Sequence, residues 1–260
     1  MLSTSQLDIY RNKGYVVVPG LLSQAETARV RAEAEYLFGR DHPGRVMEND
    51  GLTVRGIHGC HQVSPLLARL ARLSRVLSAA EQVLGSRVYV HQSKVNAKRA
   101  LRGDLWPWHQ DYIFWEREDG MPEPRVTNVA FFLDDVTPHN GPLLLLPGSQ
   151  HLGVVAPQRR EAAERGWEAH LSADLAYALD AARLAPLAEK FGIEAATGEA
   201  GSALMFDPRL IHGSGTNMSP VDRTLLLLTY NSIHNVPRGG RRPTFLAERD
   251  ATPLRPVEAL

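Results

Sequence analysis

His109 and Asp111 stand one residue apart in the stretch WPWHQDYIFW, Trp106–Trp115. An imidazole and a carboxylate set among aromatic rings are costly to bury unless something satisfies them. Residues two apart on a strand share a face, so an extended WHQDY would project both groups together. Imidazole plus carboxylate is two-thirds of the facial triad that holds non-haem iron and leaves positions open for oxygen. A second histidine must come from far along the chain. His212 is the best candidate, in FDPRLIHGSGTN, after an apolar strand-like segment and before a glycine-rich turn. By spacing alone His58, His61, His91, His139, His151, His170 and His234 compete with it. Arg223 lies eleven positions after His212 and opens the apolar run TLLLLTYN. A cation at the mouth of a buried strand needs a partner, and arginine grips a carboxylate with two parallel bonds. A dicarboxylate such as 2-oxoglutarate would chelate iron at one end and meet Arg223 at the other. A structural pair with Asp or Glu is the plainer account of a lone arginine.

These groups must be held by strands, and the second half of the chain supplies them. Arg87–Val95, Val126–Leu133, Leu143–Leu146 and Leu225–Tyr230 are β-branched or apolar runs separated by Pro, Gly and Asn turns. The first half reads differently. Ser3–Lys13 is a capped helix ended by Gly14, and Tyr15–Val18 (YVVV) is a strand. Ser23 caps a helix running to Phe38, and Pro65–Leu84 holds one or two more, stopped by Gly85. Glu161–Lys190 is Ala-rich and predicts a helical insertion between strands. Helices followed by many short strands indicate an α+β protein around an antiparallel sandwich, such as a double-stranded β-helix or jelly roll.

The 260 residues, with no repeat or linker among them, predict a single domain over 1–260. Lys+Arg and Asp+Glu are both 29, which gives no support for nucleic-acid or membrane-surface binding. No apolar run is long enough to span a bilayer. One cysteine, Cys60, excludes an intrachain disulfide. With no secretory pattern in MLSTSQLDIYRNKGY, the cytoplasm is the expected compartment. The oligomeric state is open, a homodimer included.

Taken in order, WHQD…W, EDGMP, NGPLLLLPGSQH, FD…IHGSGTN and DRT…YN resemble the phytanoyl-CoA dioxygenase superfamily of iron/2-oxoglutarate oxygenases. Within it the chain is most similar to the ectoine hydroxylases and their amino-acid-hydroxylating relatives. VRGIHGCH (54–61), HQSKVNAK (91–98) and RRPTFLAERD (241–250) extend the likeness over roughly residues 50–250. The resemblance implies that His109, Asp111 and His212 bind Fe(II), with 2-oxoglutarate and O2 as co-substrates. It implies that Arg223 and Ser214 hold the distal carboxylate of 2-oxoglutarate, and that Gln92 and Asn96 contact the co-substrate, with the substrate as a candidate second contact. Trp115 and Phe206 would line the substrate pocket, and Arg242 would face a substrate carboxylate. A carboxylate at position 111 implies hydroxylation rather than halogenation, since related halogenases carry a small residue there.

The departures bear on the substrate. Leu225 replaces a substrate-contacting Asn, Leu227 replaces a Phe, and His58 stands where a pocket Phe is expected. His58 could bond a substrate carboxylate or amine, or be a satisfied core histidine. An apolar wall that retains Arg242 fits a free aliphatic or saturated cyclic amino acid: leucine-, isoleucine-, proline- or pipecolate-like. A site that loses a hydrogen-bonding group changes its selectivity, so ectoine is not the expected substrate. Three rivals stand beside this reading: a zinc hydrolase using the same ligand types, a non-catalytic jelly-roll binding module, and an oxygenase of carrier- or CoA-tethered substrates that uses the basic run Arg238–Arg242.

Overall fold

The computed structural model describes residues 1–155, 175–240 and 242–260. Helix α1 (Thr4–Lys13) starts at Ser3, whose hydroxyl accepts from the Gln6 N–H. It stops where Gly14 turns left-handed at φ 82°, a conformation open to glycine at little cost. Strand β1 (Tyr15–Val18) follows. Helix α2 (Gln24–Phe38) carries a full capping box between Ser23 and Glu26. Strands β2 (Arg45–Met47) and β3 (Val54–His58) lead into helices α3 (Cys60–Val63), α4 (Pro65–Leu70) and α5 (Ser74–Leu84). The remaining strands are β4 (Val88–Lys98), β5 (Trp106–His109), β6 (Val126–Phe132), β7 (Leu143–Leu145), β8 (Glu194–Ala196), β9 (Ala203–Phe206), β10 (His212–Ser214) and β11 (Arg223–Ser232). Between β5 and β6 lie the short helix α6 (Tyr112–Phe114) and a π-helical turn at Trp115–Asp119. Helix α7 (Ala181–Phe191) precedes β8.

Among the described residues eleven strands form two antiparallel sheets, ordered β1-β9-β6-β11-β4-β3-β2 and β5-β10-β7-β8. Alternation along β11 divides its side chains between two cores. Leu226 and Leu228 pack with Val30, Leu67 and Val76 of the helices. Leu225 and Leu227 face the other way, with Leu143 and Leu145 of the small sheet. The double-stranded β-helix read from the sequence is the observed fold, with the helices covering one face of the large sheet.

The expected helices and strands are present, with three differences. First, β4 and β11 run longer than their apolar cores predict, because β4 pairs with both β3 and β11 out to polar residues. Second, β2, β3, β8, β9 and β10 carried no usable period-2 pattern, four of them being only three or four residues long. His212 therefore begins a strand, following a turn rather than an apolar strand. Third, WHQDY is not extended throughout. Strand β5 ends at His109, and Asp111 has helical angles of φ −65° and ψ −37°. The two groups converge because the chain bends at Asp111, not because they share a strand face. Of the expected insertion, 161–174 lies outside the described residues, and α7 accounts for its end.

Candidate metal centre and substrate cavity

His109 ends β5 and His212 begins β10, and the two are direct cross-strand partners. Their rings lie 4.3 Å apart between centroids. Asp111 enters from the turn after β5. One ligand atom from each of the three falls within 4.8 Å of the others. The outer nitrogens fix the tautomers. His109 Nδ1 lies 2.6 Å from the Pro107 carbonyl, and His212 Nδ1 lies 2.9 Å from the Leu210 carbonyl. A carbonyl can only accept, so Nδ1 carries the proton in each ring and Nε2 presents a lone pair inward. Burial, aided by the neighbouring His109, pushes the His212 pKa down to about 4, so its imidazole is neutral as a metal ligand requires.

Asp111 is ionised for a different reason. Burial alone would raise its pKa, but Lys94 and the two histidines hold it far below the usual carboxylate range. Lys94 Nζ sits 3.9 Å from Oδ1. Asn128 donates to Oδ2 at 2.8 Å, and Asn128 in turn accepts from the Thr229 hydroxyl at 2.7 Å. This relay orients the carboxylate from behind. Two imidazoles that turn Nε2 inward and one fixed carboxylate fit a divalent iron with open positions.

The triad opens into a cavity that also receives Gln92, Asn96, Trp115, Ser214, Arg223, Leu225, Leu227 and Arg242. Most of the residues expected from the sequence are thus brought together. Arg223 is 1% exposed. Its Nη2 donates to the Gly141 carbonyl, while its Nε, buried, has no protein partner. A guanidinium in that condition is poised for an acceptor from the cavity. Gln92 Nε2 is held by the Leu246 carbonyl at 2.8 Å.

Two expectations are corrected. Phe206 does not line the cavity: it packs edge-on behind His212 at 5.1 Å. Its place on the wall is taken by Phe114 and Leu175. His58 also lies off the cavity, buried beside Lys94 on the neighbouring strand. Burial first, then the cations Lys94 and Arg242, keep it neutral. Arg242 does reach the cavity, but part of its guanidinium is committed. Its Nε donates to Asp119 Oδ1 at 2.8 Å and its Nη2 to Oδ2. The glycines of RGGRR explain how. Gly240, at φ +103°, lies where a Cβ would come within 2.9 Å of the Asp119 Cα. The loop therefore closes directly onto the π-helical turn. Gly240 thus brings this loop against Asp119, the partner of Arg242.

Lys94, Trp106, Phe114 and Asn128 were missed. Lys94 was accessible to sequence reasoning, since it lies between Gln92 and Asn96 on the same strand face. Asn128 has no signal, being one of two adjacent polar residues, with Thr127, in an otherwise apolar strand.

The family model for Phytanoyl-CoA dioxygenase (PhyH) matches residues 10–225. The chain belongs to the phytanoyl-CoA dioxygenase family. It is an enzyme of the iron(II)/2-oxoglutarate-dependent class, and its His-Asp-His centre is the one that class requires. The dioxygenase is 44% identical over 252 residues to the L-proline trans-4-hydroxylase of Streptomyces griseoviridis, covering 96% of this chain and 94% of that one. It is 37% identical over 273 residues to the ectoine dioxygenase of Bordetella bronchiseptica, covering 100% and 87%. Among solved structures, EctD from S. alaskensis with 2-oxoglutarate and 5-hydroxyectoine superposes with a TM-score of 0.85 at 33% identity, over 98% of this chain and 87% of that one. No helix among the described residues is long and apolar enough to cross a membrane.

Proposed function

We propose that this dioxygenase hydroxylates an unactivated C–H bond of a small free amino acid, saturated and cyclic or aliphatic, with proline the first compound to test. Substrate, 2-oxoglutarate and O2 become hydroxylated substrate, succinate and CO2. The observation that carries the reading is the pairing, in one cavity with the triad, of an apolar wall at Leu225 and Leu227 with a cation at Arg242. The likeness to a proline hydroxylase supports it.

In this reading His109, Asp111 and His212 hold the iron, which supplies the activation of oxygen. Arg223 and Ser214 hold the distal carboxylate of 2-oxoglutarate, with Gln92 and Asn96 alongside. The guanidinium edge of Arg242 not used by Asp119 takes the substrate carboxylate, and Trp115 packs against its ring or chain. Trp106, Phe114 and Trp115 keep bulk water from the reacting carbon. Precise positioning is the protein's main contribution to such chemistry. The proposal places the enzyme as one domain in the cytoplasm, where its single cysteine, buried Cys60, stays reduced.

The test is anaerobic reconstitution followed by oxygen, with a panel of proline, pipecolate, leucine, isoleucine and ectoine. Gain of one oxygen with matching succinate release is expected for a cyclic or aliphatic member. Turnover of ectoine alone would overturn the reading, and metal-dependent hydrolysis without oxygen would favour a zinc hydrolase. In the same panel, Leu225→Asn is expected to lower kcat/KM for the aliphatic substrate about tenfold, because it sets an unpaired amide against an apolar ligand. Unchanged rates would take Leu225 off the substrate wall.

Asp119→Asn tests the anchor of Arg242. Losing the charged half of the pair is expected to raise the amino-acid KM roughly tenfold, a loss of about 1.5 kcal/mol. The 2-oxoglutarate KM should stay within twofold. A rise in the 2-oxoglutarate KM instead would mean that Arg242 serves the co-substrate.

A further inference from the structure

Strands β4 and β11 form a ladder whose rungs on one face of the sheet are Gln92–Thr229, Lys94–Leu227, Asn96–Leu225 and Lys98–Arg223, all but Thr229 and Lys98 lining the cavity. The last rung is unusual. It sets two cations directly opposite each other, each 1% exposed. Like charges facing across a strand pair are destabilising, and buried charges without partners more so.

The surrounding charges do not resolve this. Glu48, after β2, is engaged by Arg55 of β3 at 2.7 Å. Asp134, after β6, is engaged by Arg31 of α2 at 2.9 Å and by the Thr224 N–H. The Asp104 carboxylate accepts from the Leu105 N–H, and its main-chain carbonyl takes the Lys98 ammonium at 2.6 Å. The second acceptor of Lys98 Nζ is the Gly215 carbonyl. Among the described residues no carboxylate forms an ion pair with either Lys98 or Arg223. The packing also fixes Lys98 in place. A Cβ at Gly141 would come within 2.7 Å of the Lys98 Cδ, and one at Gly103 within 2.6 Å of its Cα.

We propose that Lys98 is a second cation of the 2-oxoglutarate site, acting from behind Arg223, and that it takes up a proton when the distal carboxylate of the co-substrate arrives. This rests on the placing of that carboxylate at Arg223, and not on the identity of the amino acid. Lys98 touches no reacting atom; it is a positioning residue that adds charge to the end of the pocket and pins the Gly215 and Asp104 carbonyls. In the free enzyme burial, with Arg223 and Arg55, pushes its pKa down to about 6, so at pH 7.5 it is mostly neutral. A carboxylate beside Arg223 raises that pKa. Binding at pH 7.5 then consumes up to one proton, and affinity falls as pH rises above the free-enzyme value.

The experiment is anaerobic calorimetry of 2-oxoglutarate binding to the Fe(II) enzyme without amino acid, in two buffers of different ionisation enthalpy, at pH 5.5 and 7.5. Uptake of a substantial fraction of a proton is expected at pH 7.5 and much less at pH 5.5. Lys98→Gln keeps donors for the two carbonyls and removes the charge. It is expected to bind 2-oxoglutarate on the order of tenfold more weakly and to take up no proton. Arg223→Ala separates the two claims: wild-type affinity in that variant would overturn the placing of the carboxylate itself. Wild-type affinity and uptake in folded Lys98→Gln would overturn the role of Lys98. So would the absence of uptake by the wild-type enzyme at pH 7.5, a result that needs no variant to fold.

Discussion

Asp111→Ala is expected to abolish hydroxylation. The substitution removes one of three ligands and the only anionic one. It leaves the Asn128 amide without its acceptor and Lys94 without its neighbouring charge. A metal centre contributes several kcal/mol to stabilising the transition state, so a fall on the order of 10³-fold or more is expected in kcat/KM. Iron affinity should fall with it, read by anaerobic titration of Fe(II). Circular dichroism should show the fold intact, because the carboxylate lies at a turn and not within either sheet core. Full hydroxylation by the variant would remove Asp111 from the ligand set.

The second large effect is expected at the opposite end of the cavity. Arg223→Ala should raise the 2-oxoglutarate KM on the order of 100-fold, corresponding to loss of about 3 kcal/mol of a desolvated charge contact. The amino-acid KM should move far less. Arg223→Lys should recover only part of the loss, since a single ammonium cannot reproduce the two parallel bonds of a guanidinium. Initial rates with each substrate varied in turn give the answer. A larger effect on the amino acid would reassign Arg223 to the substrate side. The variant's melting temperature is a useful companion, because truncation leaves a cavity but also removes a buried cation lacking a carboxylate partner.

Much of this site was legible in the sequence. His109, Asp111, His212 and Arg223 carry chemistry that is expensive to bury without purpose, and ordered motifs around them resemble one family. The α+β reading held because long elements have strong signals: the capping serines at Ser3 and Ser23, the glycine stops at Gly14 and Gly85, and the apolar runs of β6 and β11. Short strands of three residues carry no period, so β2, β8 and β10 went unseen. The geometry joining His109 to Asp111 is not legible in sequence, because H-x-D looks the same whether the chain is extended or turning. Phe206 and His58 were misplaced for a related reason. A residue's neighbours in sequence fix which strand it sits on, whereas its facing depends on register against a partner strand. The commitment of Arg242 to Asp119 needs two segments over a hundred positions apart, and only folding reveals it.

The ladder between β4 and β11 has a consequence for how such enzymes diversify. Its rungs are spaced by about 7 Å, twice the rise per residue of an antiparallel strand. Demands on the two ligands therefore fall on separate steps of one rigid frame. A lineage can exchange the side chains at Leu225 and Leu227, and with them the compound oxidised, while Arg223 and Lys98 stay unchanged. Novelty in the substrate and constancy in the co-substrate can then be inherited together on the same pair of strands.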